Sequence, residues 1–166
     1  QRAVDWLLID ETAPRSKYDG AVADRAAHAV SQSDRPASGQ GISLSPLERT
    51  IDGDSIQYST LSIEIDRPAR AATIVIQAPT EAAPADGDAI QALGDAFWPL
   101  RLARELDDAI LHLRTNENEI GTWLIQTTGD GELVAAHDDA LAANRDHWLG
   151  REITLYLKRT LKSIDV

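Results

Sequence analysis

The hydrophobic pattern of residues 59–77 constrains the fold of this chain more than any other feature. Apolar and polar side chains alternate from Ser59 to Ile65, which is the period of a strand with one buried face. After the turn Asp66–Arg70, the run Thr73–Gln77 is more continuously apolar and predicts a second, more buried strand. Together the two runs predict a β-hairpin.

Downstream of the hairpin, the period changes to that of a helix. Pro99 suits the first turn of a helix, and apolar residues recur on one face: Trp98, Leu102, Leu106, Ala109, Ile110 and Leu113. Thr122–Thr127 predicts a strand closed by Gly129–Gly131, and a last helix is expected to begin near Asp138 or Asp139. This order predicts an α/β fold in which the later strands pair in parallel across a helical crossover.

The part of the chain before residue 54 lacks this pattern. Ser16 is a candidate N-cap for an Ala-rich helix over Lys17–Val30. Residues 36–53 are rich in Pro, Gly and Ser and show no sustained period, which is typical of a linker. We therefore predict three parts: residues 1–35, a linker over residues 36–53, and a unit over residues 54–166.

Composition excludes several classes of function. The chain has 27 Asp and Glu against 16 Lys and Arg, a net charge of −11, whereas binding to a phosphate backbone needs clustered positive charge. The longest uncharged runs are about half of the ~20 residues that a membrane helix needs. No Cys is present, which excludes disulfides and Cys-ligated metals. With no secretion signal visible, we predict a cytoplasmic protein that binds neither nucleic acid nor membrane.

Four histidines are candidates for chemistry, and no two of them are spaced for a helical metal site: His28, His112, His137 and His147. We expect His28 and His112 to face solvent. His137 follows a predicted strand and a Gly-rich turn, and it precedes the last predicted helix. Backbone N–H groups at such a helix start can receive an oxyanion or a phosphate. His137 is therefore the candidate site, although these residues by themselves indicate no particular reaction.

The charged residues of the long predicted helix suggest structure rather than catalysis. Arg104 and Asp108 are four residues apart, so we expect them to form a surface ion pair. Asp138 and Asp139 are expected to cap the last helix. A general acid and base need two carboxylates in contrasting environments, and no such pair can be recognised in the sequence.

Three segments of the chain resemble known sequence patterns. The segments Ser59–Pro79 and Leu102–Gly131 are similar to the opening of an enoyl-CoA hydratase/isomerase (crotonase-like) domain, and Gln1–Arg35 is similar to the late part of such a domain. The resemblance implies a partial crotonase-like α/β fold. Residues 1–35 would be the C-terminal part of a first half, and residues 54–166 the N-terminal part of a second half. The lack of any Met agrees with an internal segment of a longer protein.

Further runs resemble the benzoyl-CoA-dihydrodiol lyase (2,3-epoxybenzoyl-CoA dihydrolase) family: Ser33–Pro36, Leu44–Thr50, Ala103–Leu124 and Arg145–Trp148. This resemblance implies an enzyme, a lyase of aromatic catabolism. Its expected reaction is hydrolytic ring opening of 2,3-epoxybenzoyl-CoA in aerobic benzoate degradation. Coenzyme A would enter as part of the substrate, without a separate cofactor or metal, and the enzyme would form a homo-oligomer.

The resemblance also implies site residues. The crotonase pattern Phe-x-Ala-Gly-x-Asp falls on Leu133–Asp138, with Ala136 in place of the Gly. The backbone N–H of His137 would then belong to an oxyanion hole, and the backbone of Ala135 and Ala136 would contact CoA. The second oxyanion residue and the catalytic carboxylates are expected outside this segment, which alone would be inactive.

Two alternatives to the ring-opening enzyme are open. One is an enoyl-CoA hydratase or isomerase of the general crotonase type, which would act on simple aliphatic enoyl-CoA thioesters. The other is a non-catalytic acidic α/β interaction module, which would require the 166 residues to fold by themselves.

Overall fold

The computed structural model describes residues 2–35 and 39–164, and the chain divides into two compact units, residues 1–41 and 42–166. The first unit contains the single turn α1 (Arg2–Asp5) and the helix α2 (Tyr18–Ser31). The predicted Ala-rich helix is thus confirmed. The predicted cap is wrong, because Ser16 lies inside the 3₁₀ turn Arg15–Lys17 and no side chain caps α2. None of the described residues of this unit is buried.

The second unit is built on one five-stranded sheet, with strand order β1-β2-β3-β4-β5. The strands are β1 (Thr50–Asp52), β2 (Ser55–Gln57), β3 (Leu61–Asp66), β4 (Ala71–Gln77) and β5 (Thr122–Thr128). The predicted hairpin is β3 and β4, which pair antiparallel, and β5 pairs parallel to β4 as expected. β1 and β2 were missed because strands of three residues are too short to show a period.

One face of the sheet packs against the long helix α4 (Trp98–Asn116), which contains Pro99 in its first turn. The predicted apolar stripe of α4 is confirmed, because its central residues belong to the same buried cluster as the sheet. The buried members are Ile56, Tyr58, Leu61, Ile63, Ile65, Ala72, Ile74, Leu102, Leu106, Ala109, Ile110 and Leu113. The alternation along β3 therefore predicts its buried face correctly. Burial of each large aliphatic side chain contributes roughly 1.5–3 kcal/mol to the stability of the folded unit.

A second buried cluster joins the helices at the other end of α4. It involves α3 (Gly87–Leu93), α5 (Gly131–Ala143) and α6 (Trp148–Lys162). Its buried members are Ile90, Phe97, Leu100, Leu141, Leu149 and Ile153. α4 contributes residues from Leu102 to Leu113 to the first cluster and Leu100, near its start, to the second, so α4 links the sheet to the C-terminal helices.

The prediction of one last helix from Asp138 or Asp139 is wrong, because two helices follow β5. The first, α5, begins at Gly131, where the Asp130 side chain accepts a hydrogen bond from the N–H of Glu132 at 2.8 Å. A turn after α5, in which the His147 N–H donates to the Asn144 carbonyl, separates it from α6. Most apolar residues of α5 are alanines, so its two faces differ little in hydrophobicity and the sequence pattern does not reveal the helix.

The predicted linker over residues 36–53 is longer than the connection between the two units. The structure places residues 42–53 in the second unit, where residues 50–52 form the edge strand β1. Residues 43–49 cross the polar side of α4, held by side-chain contacts described below. Among the described residues, no helix is long and apolar enough to cross a membrane.

Candidate functional site

The carboxyl ends of the two parallel strands form the edge at which ligands usually bind in α/β folds. β4 and β5 end side by side, and the N–H of Ala78 donates to the Thr128 carbonyl at 2.8 Å. Gly129 follows with a φ of +104°, and a Cβ on it would lie 2.7 Å from the Cβ of Ala78. Only a glycine fits this close approach, so the chain leaves β5 tightly against the end of β4.

Helix α5 starts directly at this edge. Asp130 is its N-cap, and the free backbone donors of the first turn lie in Gly131–Leu133, because only the first turn of a helix lacks intrahelical acceptors. The Asp130 carboxylate already accepts the N–H of Glu132. Its negative charge stands where an incoming anion would have to bind, which disfavours an anion at this helix terminus.

The structure places the three predicted site residues in the interior of α5. Ala135, Ala136 and His137 are the fifth, sixth and seventh residues of the helix. At these positions each backbone N–H donates to the carbonyl four residues earlier. The expectation that His137 stands just before the start of a helix is wrong, because it lies inside α5. The oxyanion role of its N–H stays a prediction, and this geometry offers no free donor for that role.

His137 instead contributes its ring to a buried aromatic cluster. The imidazole stacks on Phe97 with ring centres 5.6 Å apart, and the Trp98 ring approaches edge-on at 5.9 Å. Its Nδ1 lies 2.8 Å from the Leu133 carbonyl, so Nδ1 carries the proton and donates it. The Trp98 indole N–H donates to the Gln77 carbonyl at the end of β4. The cluster thus fixes α4 and α5 to the carboxyl edge, and the sequence could not show it because its members are about 40 residues apart.

The most completely bonded charged group of the second unit is Glu105 on α4. Its carboxylate is buried and accepts four hydrogen bonds, two from backbone N–H groups and two from hydroxyls, all supplied by Ser59 and Thr60. Four donors satisfy both oxygens, so the carboxylate ties α4 to the turn between β2 and β3. No local sequence pattern could indicate these bonds, because Ser59 and Thr60 lie 46 and 45 residues before Glu105.

The expected ion pair between Arg104 and Asp108 is wrong, because each residue has another partner. The Arg104 guanidinium lies 3.4 Å from the Asp95 carboxylate. Asp108 lies 2.6 Å from Arg49 and also accepts the Tyr58 hydroxyl at 2.8 Å. Burial, followed by the hydrogen bond to Asp108, raises the pKa of Tyr58 to about 12. Contacts from distant segments replaced the local i, i+4 pair.

The other histidines show no common site. His28 is exposed in the first unit, as expected, whereas His112 is half-buried with Nδ1 3.0 Å from the Asn116 amide. His147 packs its ring against Gly87, where a Cβ would lie 2.6 Å from its Cγ. Within residues 2–35 and 39–164, no group of three or more His, Asp or Glu side chains is placed to hold a metal ion.

Comparison with known proteins confirms the resemblance to the lyase family. All 166 residues align with the benzoyl-CoA-dihydrodiol lyase of Aromatoleum evansii at 41% identity. The match covers 30% of that lyase, so the chain spans less than a third of its relative's length. No protein-family model matches the chain.

Proposed function

We propose that these 166 residues are part of a longer enzyme, a lyase that acts on a thioester derived from benzoyl-CoA. The observation that carries this proposal is the 41% identity to benzoyl-CoA-dihydrodiol lyase, which extends over the whole chain rather than over one motif. Neither the general enoyl-CoA hydratase nor the interaction module has an observation of comparable strength in its favour.

The proposed reaction is hydrolytic ring opening of 2,3-epoxybenzoyl-CoA in aerobic benzoate degradation. Coenzyme A enters as part of the substrate, so no separate cofactor is required. We place the enzyme in the cytoplasm, where CoA thioesters of aromatic acids would be consumed, and we propose that it forms a homo-oligomer.

The proposed architecture is that of two crotonase-like halves. Residues 1–35 would close the first half, and residues 54–166 would open the second. The order of hairpin, helix α4 and parallel strand β5 supports this assignment, because it is the order that the family resemblance implies. The separation of the chain into two compact units is compatible with it.

Within this proposal the second unit acts as framework rather than as the catalytic centre. A thioester carbonyl that develops negative charge needs free N–H donors. The N–H groups of Ala135, Ala136 and His137 are not free, because they lie inside α5 and donate to carbonyls of the same helix. The Glu105 and Asp108 carboxylates are occupied by protein donors. Proton transfer by acidic side chains would therefore use groups outside this segment.

The test is made on the full-length protein that contains these residues. We expect benzoyl-CoA to give a saturable calorimetric signal, and 2,3-epoxybenzoyl-CoA to be converted to a ring-opened CoA product that mass spectrometry detects. Acetyl-CoA is the control for binding through the CoA moiety alone. Absence of both binding and turnover with the aromatic thioesters would refute the proposal.

The same assays separate the alternatives. Hydration of an aliphatic enoyl-CoA without turnover of the epoxide would identify a general crotonase-type hydratase. If no thioester binds and the 166 residues alone unfold cooperatively as a monomer, the interaction module is supported instead.

A further inference from the structure

Residues 43–49 form a strap across the polar side of α4. The strap is held at both ends, because Ile42 packs on the second buried cluster and Thr50 begins β1. Between these ends, among the residues that the structure describes, no backbone–backbone hydrogen bond holds it. Apart from Leu47, which is half-buried, its residues are exposed. The strap is therefore fixed mainly by the side chains beneath it.

Three polar contacts hold the strap, two at its middle and one at its end. The Ser45 N–H donates to the Asp95 carboxylate, while the Arg104 guanidinium donates to the Ser45 carbonyl at 2.6 Å. The hydrogen bond from Ser45 lowers the pKa of Asp95. At the end of the strap, Arg49 donates to Asp108 at 2.6 Å.

A pocket of about 280 Å³ lies beneath the strap. Its lining includes Pro46, Leu47 and Glu48 of the strap together with Arg101 and Arg104 of α4. Asp95 and Arg104 hold the N–H and the C=O of one backbone residue, Ser45. The closed strap thus occupies the polar groups that another backbone-like or amide ligand would need.

We propose that residues 43–49 are a lid that opens over this pocket while the sheet and α4 stay folded. Local opening requires few buried apolar contacts and few backbone hydrogen bonds, and the strap has both properties. Opening breaks the contacts of Ser45 and Arg49, and it exposes the groups of Asp95 and Arg104 that bond Ser45 in the closed strap. Ile42 and Thr50 stay in place during this opening, so the strap closes again in the same position.

Amide hydrogen exchange followed residue by residue by nuclear magnetic resonance on the 166-residue chain tests the lid. Within the strap, the Ser45 N–H is the amide that has an acceptor, and we expect it to be protected yet to exchange well before the amides of β3 and β4. Asp95→Asn and Arg49→Gln each weaken one contact, and loss of charged hydrogen bonds of this kind should speed exchange of the Ser45 amide about tenfold or more. Exchange in β3 and β4 should not change. The matched controls are Asp139→Asn on α5 and Arg15→Gln in the first unit, which should leave the strap unaffected.

Two results would overturn the proposal. One is exchange of the Ser45 amide at the rate of β3 and β4, which would mean that the strap opens only when the unit unfolds. The other is unchanged exchange of the Ser45 amide in both Asp95→Asn and Arg49→Gln. Because Arg49 belongs to the strap itself, its replacement keeps the test interpretable even where Asp95→Asn fails to fold.

Discussion

At the scale of single residues, polar side chains of α4, of which Glu105 is buried, connect this helix to distant segments of the second unit. Glu105 ties α4 to the turn after β2, Asp108 ties α4 to Arg49 and Tyr58, and Trp98 ties α4 to the end of β4. A buried carboxylate that makes all its hydrogen bonds adds only modestly to the free energy of unfolding. Its removal leaves buried donors without an acceptor, and this lowers the free energy of unfolding by more. These residues are therefore more sensitive to substitution than their charge alone suggests.

Glu105→Ala should lower the free energy of unfolding by about 3 kcal/mol or more, because four donors on Ser59 and Thr60 lose their acceptor. Urea denaturation followed by tryptophan fluorescence measures the change. Glu119→Ala is the control, since this glutamate is exposed, and its effect should stay within about 0.5 kcal/mol. Equal effects of the two substitutions would contradict the role of Glu105.

Tyr58 should make stability depend on alkaline pH. Its pKa is about 12 in the folded protein and about 10 in an unfolded chain. The folded state therefore holds the proton more tightly, so the stabilising effect is complete below pH 10 and is lost as pH rises toward 12. Denaturation at a series of pH values, compared with Tyr58→Phe, isolates this dependence. A Tyr58→Phe curve with the same slope between pH 10 and 12 would rule it out.

At the scale of elements, the junction between β5 and α5 shows how local capping decides where a helix starts. Asp130 caps α5 and Gly129 provides the left-handed backbone just before it, whereas Asp138 lies in the helix interior. The charged pair Asp138 and Asp139 is more conspicuous in the sequence, yet a helix begins where its first N–H groups find an acceptor.

Asp130→Ala should destabilise the second unit by roughly 0.5–2 kcal/mol, because the N–H of Glu132 loses its side-chain acceptor. Asp138→Ala is the matched control and should have little effect, since alanine is favourable in a helix interior. Thermal unfolding followed by far-UV circular dichroism compares the two variants. A larger loss for Asp138→Ala would mean that α5 starts later than described.

At the scale of the whole molecule, burial is distributed unevenly between the two units. Both hydrophobic clusters belong to the second unit, while the described part of the first unit contains no buried residue. In the second unit, β5 is an edge strand, and Leu124 and Ile125 remain about half exposed. Cooperative stability should therefore reside in the sheet, α4 and the C-terminal helices.

This distribution predicts a difference in amide exchange between two helices of similar length. In the 166-residue chain, amides of α2 should exchange nearly as fast as in an unfolded peptide, because a helix of 14 residues without buried contacts is marginal in water. Amides of α6, which has 15 residues and buries Leu149 and Ile153, should be protected. Nuclear magnetic resonance resolves both helices, and equal protection would show that α2 has a stabilising partner.

Sequence patterns by themselves predicted the strands and the helix whose apolar residues recur at regular spacing. They also indicated the family that the chain resembles. The alternation along Leu61–Asp66, the apolar run ending at Gln77 and the stripe of α4 predict the hairpin, the helix and their packed faces, because burial of one face imposes that spacing. The resemblance to the lyase family also came from the sequence and was confirmed by comparison.

Only the tertiary structure decided the polar contacts and the place of the candidate residues. Glu105 binds Ser59 and Thr60, Asp108 binds Arg49 rather than Arg104, and His137 stacks on Phe97. Their partners are 40 or more residues apart in the chain, so no local pattern encodes them. Hydrophobic spacing is a property of one segment, whereas a hydrogen bond between segments exists only once the fold has brought donor and acceptor together.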